Sequence, residues 1–235
     1  MTATVSTQPT YRVVNPATGD VGESFDFATE AEIESTLAAS DAAFRSWRDL
    51  PIAERARIVT RVAELFKEHS ARLGAIATEE MGKPLQESVD EADFCGDIFE
   101  YFASEGPNLA ADQEIKTFAK GKAYVQRLPI GPLLGIMPWN YPFYQIARFA
   151  APNLVLGNTI ILKHAESVPK SALAVQEIMD EAGVPKGVYT NIFASYDQIE
   201  KIIGDRRVVG VSLTGSERAG SVVAAIAGKN LKKCV

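Results

Sequence analysis

The chain has 235 residues, 46% of them hydrophobic and 23% charged, with a formal net charge of −6. These values suit a globular protein with a sizeable core, and the absence of a basic face argues against nucleic-acid binding. Two distant cysteines, two histidines and no CxxC pattern give no basis for a disulfide scaffold or a zinc site, and no apolar run reaches membrane-spanning length.

The stretch MTATVSTQPT lacks the basic–apolar–small order of a signal peptide, so the expected compartment is the cytoplasm. Residues 1–28 read as irregular, with turn signals at NPATGD. Thr29 and Glu32 have capping-box spacing and open a helix with Ile33, Leu37, Phe44 and Trp47 on one face. A second helix is expected over about 52–81, with Ile58, Val62, Leu65 and Leu73 inward and Gly74 a modest weakness. A third is expected over about 85–104, with Val89, Cys95, Ile98 and Phe102 buried. Asp90, Asp93, Asp97 and Glu100 then form a solvated acidic face.

After EGPN the character changes. Two short strands flank Lys120-Gly121-Lys122 and predict an exposed hairpin, a feature that invites pairing with another chain and so a homo-oligomer. From Leu133 apolar runs alternate with helical patterns: LLGIM, TIILK, VYTNIF and VVGVSLT as strands, each followed by a helix. That alternation predicts an α/β fold, a parallel sheet with helices on both faces. The expected organisation is a helical part (1–114), a hairpin (115–130) and an alternating part (131–235). Ligands of such sheets sit beyond the carboxyl ends of the strands, which directs attention to the strand-to-helix turns.

The first turn is PWNYP. Pro138 ends the strand and Pro142 suits a first helical turn, so Asn140 sits on a stiff connector. Its amide is a neutral donor able to stabilise an oxygen that becomes negative during attack on a carbonyl, worth ~3–4 kcal/mol; the commoner local role is a helix cap. In LKHAES, Lys163 and Glu166 can exchange hydrogen bonds with ribose hydroxyls, or serve as a surface lysine beside a capping glutamate. His164 has no carboxylate–hydroxyl set around it and reads as structural. The third turn, FASYDQ, has no phosphate signature. In LTGSERAG, Gly215 permits close backbone approach and Ser216 opens a helix whose N–H groups suit a pyrophosphate, or simply caps it. Arg148 is the one charge in FYQIARFAAPNLVLG and needs a partner, either an internal acid or a substrate carboxylate.

Taken together and in this order, PWNYP, LKHAE and LTGSERAG resemble the aldehyde dehydrogenase superfamily over nearly the whole chain. The KHA triplet and the arginine nine residues after the motif tryptophan look most like the succinate-semialdehyde dehydrogenase branch. The resemblance implies a Rossmann-like cofactor-binding part. Asn140 would be the side-chain half of an oxyanion hole, and Ile136 and Trp139 would flank the cofactor. Lys163 and Glu166 would hold the adenosine ribose, with Gly215 and Ser216 beside the pyrophosphate. Arg148 would hold the far carboxylate of an aldehyde substrate, and the hairpin would serve oligomerisation. Glu166 would repel a 2′-phosphate, so NAD is expected over NADP. His164 departs from the family's commoner proline, and Ala194-Ser195-Tyr196 lacks glycines often found there. The family's general base is expected just after Val235, and its nucleophilic cysteine later. Cys234 precedes that base and is not its substitute, and Cys95 reads as inert core. The chain alone is therefore expected not to turn over substrate. The competing expectation is a non-catalytic nucleotide-binding or oligomerisation module.

Overall fold

The computed structural model describes residues 10–118 and 120–235, so all but the last residue of the stretch read for a signal peptide lies outside it. Two strands occupy the segment expected to be irregular: β1 (Tyr11–Val14) and β2 (Val21–Phe25) pair antiparallel. Their turn is the NPATGD signal, where Asn15 Oδ1 accepts the Ala17 N–H at 2.9 Å and Gly19 takes φ +78°. Tyr11 alternates with exposed Arg12 and is fully buried, its hydroxyl donating to the Ala194 carbonyl at 3.2 Å.

Helix α1 (Glu30–Asp49) starts at the expected capping box, with Thr29 and Glu32 each satisfying the other's backbone N–H. Ile33, Leu37 and Trp47 are buried, while Phe44 is half-buried under Arg48. The long second helix is two helices, α2 (Ile52–Glu68) and α3 (Ser70–Met81), broken where His69 leaves helical geometry at ψ 9°. Gly74 lets α3 meet the next helix closely, since a Cβ there would lie 2.5 Å from Val89 Cγ2. That helix, α4 (Leu85–Leu109), runs past its expected end and through Pro107. Its buried face is Glu91, Ala92, Cys95, Phe99 and Ala103; Val89, Ile98 and Phe102 flank it. The acidic residues are exposed as expected, with Lys67 bridging Asp97 and Glu100.

The hairpin is present as β3 (Gln113–Ile115) and β4 (Ala123–Val125). The remainder alternates: β5 (Pro132–Ile136), α5 (Tyr144–Leu156), β6 (Thr159–Lys163), α6 (Pro169–Glu181), β7 (Tyr189–Asn191), α7 (Tyr196–Gly204), β8 (Gly210–Leu213), α8 (Glu217–Lys229) and β9 (Lys233–Cys234). Five strands form one parallel sheet in the order β7-β6-β5-β8-β9.

Successive strand residues point to opposite faces and feed two cores. Leu133, Ile160 and Leu162 pack with α2, α4, α5 and α6; Leu134, Ile161 and Val211 pack with α7, α8 and the start of α1. The expected α/β sheet with helices on both faces is therefore observed. Helix α5 is gripped at both ends by side chains whose charge complements its dipole. Glu91 accepts the Phe143 and Tyr144 N–H groups at its start, and Arg55 donates to the Val155 and Leu156 carbonyls at its end. Helix α6 is gripped by a side chain at its start, where Glu80 accepts the Lys170 N–H at 2.6 Å and the Ser171 N–H at 2.8 Å.

Candidate active site

Strands β6, β5 and β8 lie side by side and run parallel, so their carboxyl ends share one margin. Ile136, half-buried at the end of β5, is paired with Lys163 on one side and Leu213 on the other. The three motif-bearing turns leave the sheet from that margin. The winding also reverses there: β6 and β7 extend one way from β5, β8 and β9 the other. Such a reversal leaves a crevice outside the strand ends.

Asn140 is exposed on the first turn and does not cap α5. The capping group is Glu91, which accepts the two first-turn N–H groups through Oε1 at 2.9 Å each. Among the described residues the Asn140 side-chain amide has no hydrogen-bond partner. Trp139 beside it is half exposed. Pro142 lies in the turn before α5, and its carbonyl accepts from His164 Nε2 at 2.8 Å. His164 Nδ1 accepts the Ala165 N–H at 2.8 Å, which places the ring proton on Nε2. Burial lowers the His164 pKa to about 4, so the ring is neutral and structural.

Lys163 does not reach out to solvent. It is buried, with Nζ 3.4 Å from Glu166 Oε1 and 5.4 Å from the ring centres of both Tyr11 and Tyr196. Burial lowers its pKa, and Glu166 opposes that shift. Glu166 is not the cap of α6, a task Glu80 performs. The pair therefore sits at the end of β6 with unused hydrogen-bonding capacity.

Gly215 has no crowded neighbour: a Cβ would first meet Leu213 Cδ2 at 3.6 Å, so the chain's own packing does not require a glycine. Ser216 caps α8, its Oγ accepting the Ala219 N–H at 3.3 Å. Arg148 lacks the internal acid considered for it. Its Nη2 donates to Thr214 Oγ1 at 2.9 Å, and no carboxylate pairs with it among the described residues.

Cys95 is buried in the helical core, where desolvation raises its thiol pKa well above the ordinary value. Cys234 is exposed in edge strand β9, paired with Val211. A pocket of about 650 Å³ lies between α4 and the first turn, lined among others by Lys83, Glu91, Phe94, Asn140, Tyr141 and Tyr144. Sequence reasoning missed Lys83 and Glu91. The available signal was a glutamate four residues before Cys95, on the buried stripe of a helix, the same anomaly that singled out Arg148.

Among curated proteins, the chain is 48% identical over 225 residues to a succinate-semialdehyde dehydrogenase [NADP(+)] of Deinococcus radiodurans, covering 96% of this chain and 47% of that protein. It is 38% identical over 224 residues to the enzyme of the same name from Mycobacterium leprae, covering 94% of this chain and 49% of that one. The chain thus spans about half the length of the curated relatives it matches. Among solved structures, the succinic semialdehyde dehydrogenase of Streptococcus pyogenes in complex with NADP+ superposes with a TM-score of 0.93. It is 39% identical and covers 95% of this chain and 49% of that one. A succinate-semialdehyde dehydrogenase from Burkholderia pseudomallei gives 0.90 at 35% identity, covering 96% of this chain and 47% of that one. A family-wide model spans residues 3–235, so the turns, the sheet and the helices that carry them belong to one match: the chain is a member of the aldehyde dehydrogenase family.

Proposed function

We propose that the chain supplies the cofactor-binding part of an NAD(P)-dependent aldehyde dehydrogenase. Its front, described from residue 10, is helical apart from the β1–β2 pair; the β3–β4 hairpin is its oligomerisation element, and residues 131–235 are its Rossmann-like part. The observation that carries this reading is the shared margin of β6, β5 and β8, from which the three motif-bearing turns open, together with an Asn140 amide that has no partner among the described residues. The hairpin supports self-association through its exposed Ile115, Phe118, Tyr124 and Val125.

The residues present fit a dinucleotide. Lys163 Nζ donates to, and Glu166 accepts from, ribose hydroxyls; the two groups already lie 3.4 Å apart. Gly215 and the first-turn N–H groups of α8 would hold the pyrophosphate. Ile136 and Trp139 form apolar walls beside the cofactor. When bound, NAD(P)+ would supply the acceptor for the hydride that the aldehyde carbon loses once a nucleophile has added to it. Asn140 donates its amide N–H to the aldehyde oxygen as that oxygen becomes negative, worth ~3–4 kcal/mol.

The inferred substrate is a semialdehyde, succinate semialdehyde foremost, oxidised to its acid. Arg148 supports this because its only partner among the described residues is a neutral hydroxyl, which leaves a guanidinium fork for the far carboxylate. Neither cysteine is suited to be the nucleophile: Cys95 is buried with a raised pKa, and Cys234 sits on the sheet edge. We therefore infer that these 235 residues alone do not turn over aldehyde. NADH or NADPH formation by this chain checks that inference, and measurable turnover refutes it.

The two curated relatives named above carry NADP(+) in their names. This chain has Glu166, a carboxylate that accepts from a 2′-hydroxyl and repels a 2′-phosphate, and on that ground the preferred cofactor is NAD, with NADP second. Calorimetric titration of the chain with each cofactor tests both levels. Tighter NAD binding is expected; tighter NADP binding overturns the preference, and no binding of either overturns the cofactor site.

A further inference from the structure

Four consecutive residues after Asn140 are held by side chains from other elements. Lys83 Nζ lies 3.7 Å over the centre of the Tyr141 ring. The Pro142 carbonyl accepts from His164 Nε2 at 2.8 Å. Glu91 Oε1 accepts the Phe143 and Tyr144 N–H groups at 2.9 Å each, and Glu91 Oε2 accepts from Lys83 Nζ at 2.6 Å. The Lys83 and Glu91 side chains are only 8% and 2% exposed.

A buried ion pair is weak evidence for stability, because taking two charges out of water costs about as much as their attraction returns. Its value here is geometric. Each oxygen of one carboxylate has a separate task. Oε2 is bound to the ammonium, and Oε1 takes the two N–H groups that fix where α5 starts. The ammonium in turn sits on Tyr141, the residue that follows Asn140. Among the described residues the Asn140 side chain makes no hydrogen bond, so the position from which its amide projects is set by the backbone on which it rides.

We propose that Glu91, with Lys83 and His164 as its accessories, is a positioning residue that fixes the segment carrying Asn140. The proposal rests on the reading of Asn140 as an oxyanion donor, and deepens it. A donor displaced by about 1 Å loses most of its advantage at a developing charge.

Two measurements separate the proposal from that reading. The first is the backbone ¹⁵N order parameter at Asn140 in the 235-residue chain. The expected value is about 0.85, falling below about 0.6 in Glu91→Ala, with hydrogen exchange accelerated at Phe143 and Tyr144. The double variant Glu91→Gln/Lys83→Met keeps the acceptor while deleting both charges, and is expected to restore order. Glu80→Ala is the control, since it removes the equivalent cap from α6 and should leave Asn140 ordered. If Asn140 stays ordered in Glu91→Ala, or loosens equally in Glu80→Ala, the proposal is overturned. Should Glu91→Ala not fold, the double variant Glu91→Met/Lys83→Met carries the same readout, because it removes the acceptor of the Phe143 and Tyr144 N–H groups without leaving an unpaired ammonium buried.

The second measurement uses the aldehyde dehydrogenase that the proposed function implies. Glu91→Ala is expected to lower kcat about tenfold to a hundredfold with little change in cofactor KM, and to cost almost nothing further in an Asn140→Ala background. Additive losses overturn the positioning role. If Asn140→Ala alone leaves kcat unchanged, the oxyanion reading falls while the order-parameter result stands on its own.

Discussion

Arg148 reaches from α5 to the end of β8, where its Nη2 donates to Thr214 Oγ1 at 2.9 Å. A neutral hydroxyl anchors the guanidinium without cancelling its charge. On the proposed function, Arg148→Ala in an aldehyde dehydrogenase carrying this segment should raise KM for a carboxylated semialdehyde about tenfold to a hundredfold, the value of a charge-assisted hydrogen bond. An uncharged aldehyde of equal length should be unaffected, as should NAD binding to the chain. Arg148→Lys should recover little, because an ammonium does not offer the bidentate fork. Equal losses on charged and uncharged aldehydes would assign Arg148 to packing.

Lys163 and Glu166 act as a pair at the end of β6. Lys163→Ala removes a buried donor and leaves Glu166 without its cation, so NAD affinity should fall about tenfold to a hundredfold by calorimetry. Glu166→Ser removes the repulsion toward a 2′-phosphate and should shift the ratio of NAD to NADP affinity toward NADP. An unchanged ratio would show that Glu166 does not face the 2′ position.

Glu80 gives the fold a pH dependence of unusual sign. Burial raises its pKa from 4.5 to about 7, against the pull of the Lys170 and Ser171 N–H groups and the Ser171 hydroxyl. The folded chain then keeps a proton at Glu80 that the unfolded chain has released. The Glu80 contribution is complete below about pH 4.5 and is lost as pH rises through about 7, up to about 3 kcal/mol across the window. Urea midpoints at pH 5 and pH 7.5 should therefore converge in Glu80→Gln relative to the parent chain. Midpoints that move equally in both proteins would place the titration elsewhere.

Two glycines should respond oppositely to alanine. At Gly74 a Cβ would lie 2.5 Å from Val89 Cγ2 and 2.8 Å from Val89 N, so Gly74→Ala should force α3 from α4 and destabilise by about 1–3 kcal/mol. At Gly228 nothing lies within 4 Å, and Gly228→Ala should stabilise α8 by up to about 1 kcal/mol. Thermal melts of the two variants check the signs.

Much of the architecture was legible because its signals are local. The Thr29–Glu32 box, the strand runs and the glycine-bearing turns each lie within a few residues of the structure they specify. Less legible was the interruption at His69, where the apolar period continues across the break. Helix α4 passes through Pro107, which reads as a stop; there Gly106 packs closely on Val155, with a would-be Cβ 2.6 Å from Val155 Cγ1. Strand β1 is only four residues long, too short for its alternation to stand out. At the candidate site, motif and turn position were enough to single out Asn140, Lys163 and Gly215. Glu91 could not be assigned its task, because the N–H groups it accepts lie 52 and 53 residues along the chain.

The order of those partners along the chain has a consequence for biosynthesis. Glu91 precedes Phe143, and Glu80 precedes Lys170 by 90 residues. A ribosome therefore releases each carboxylate before the helix whose leading amides it will receive. Neither α5 nor α6 has to begin coiling without its acceptor already made, and a circular permutant that delivers residues 131–235 first would reverse that schedule.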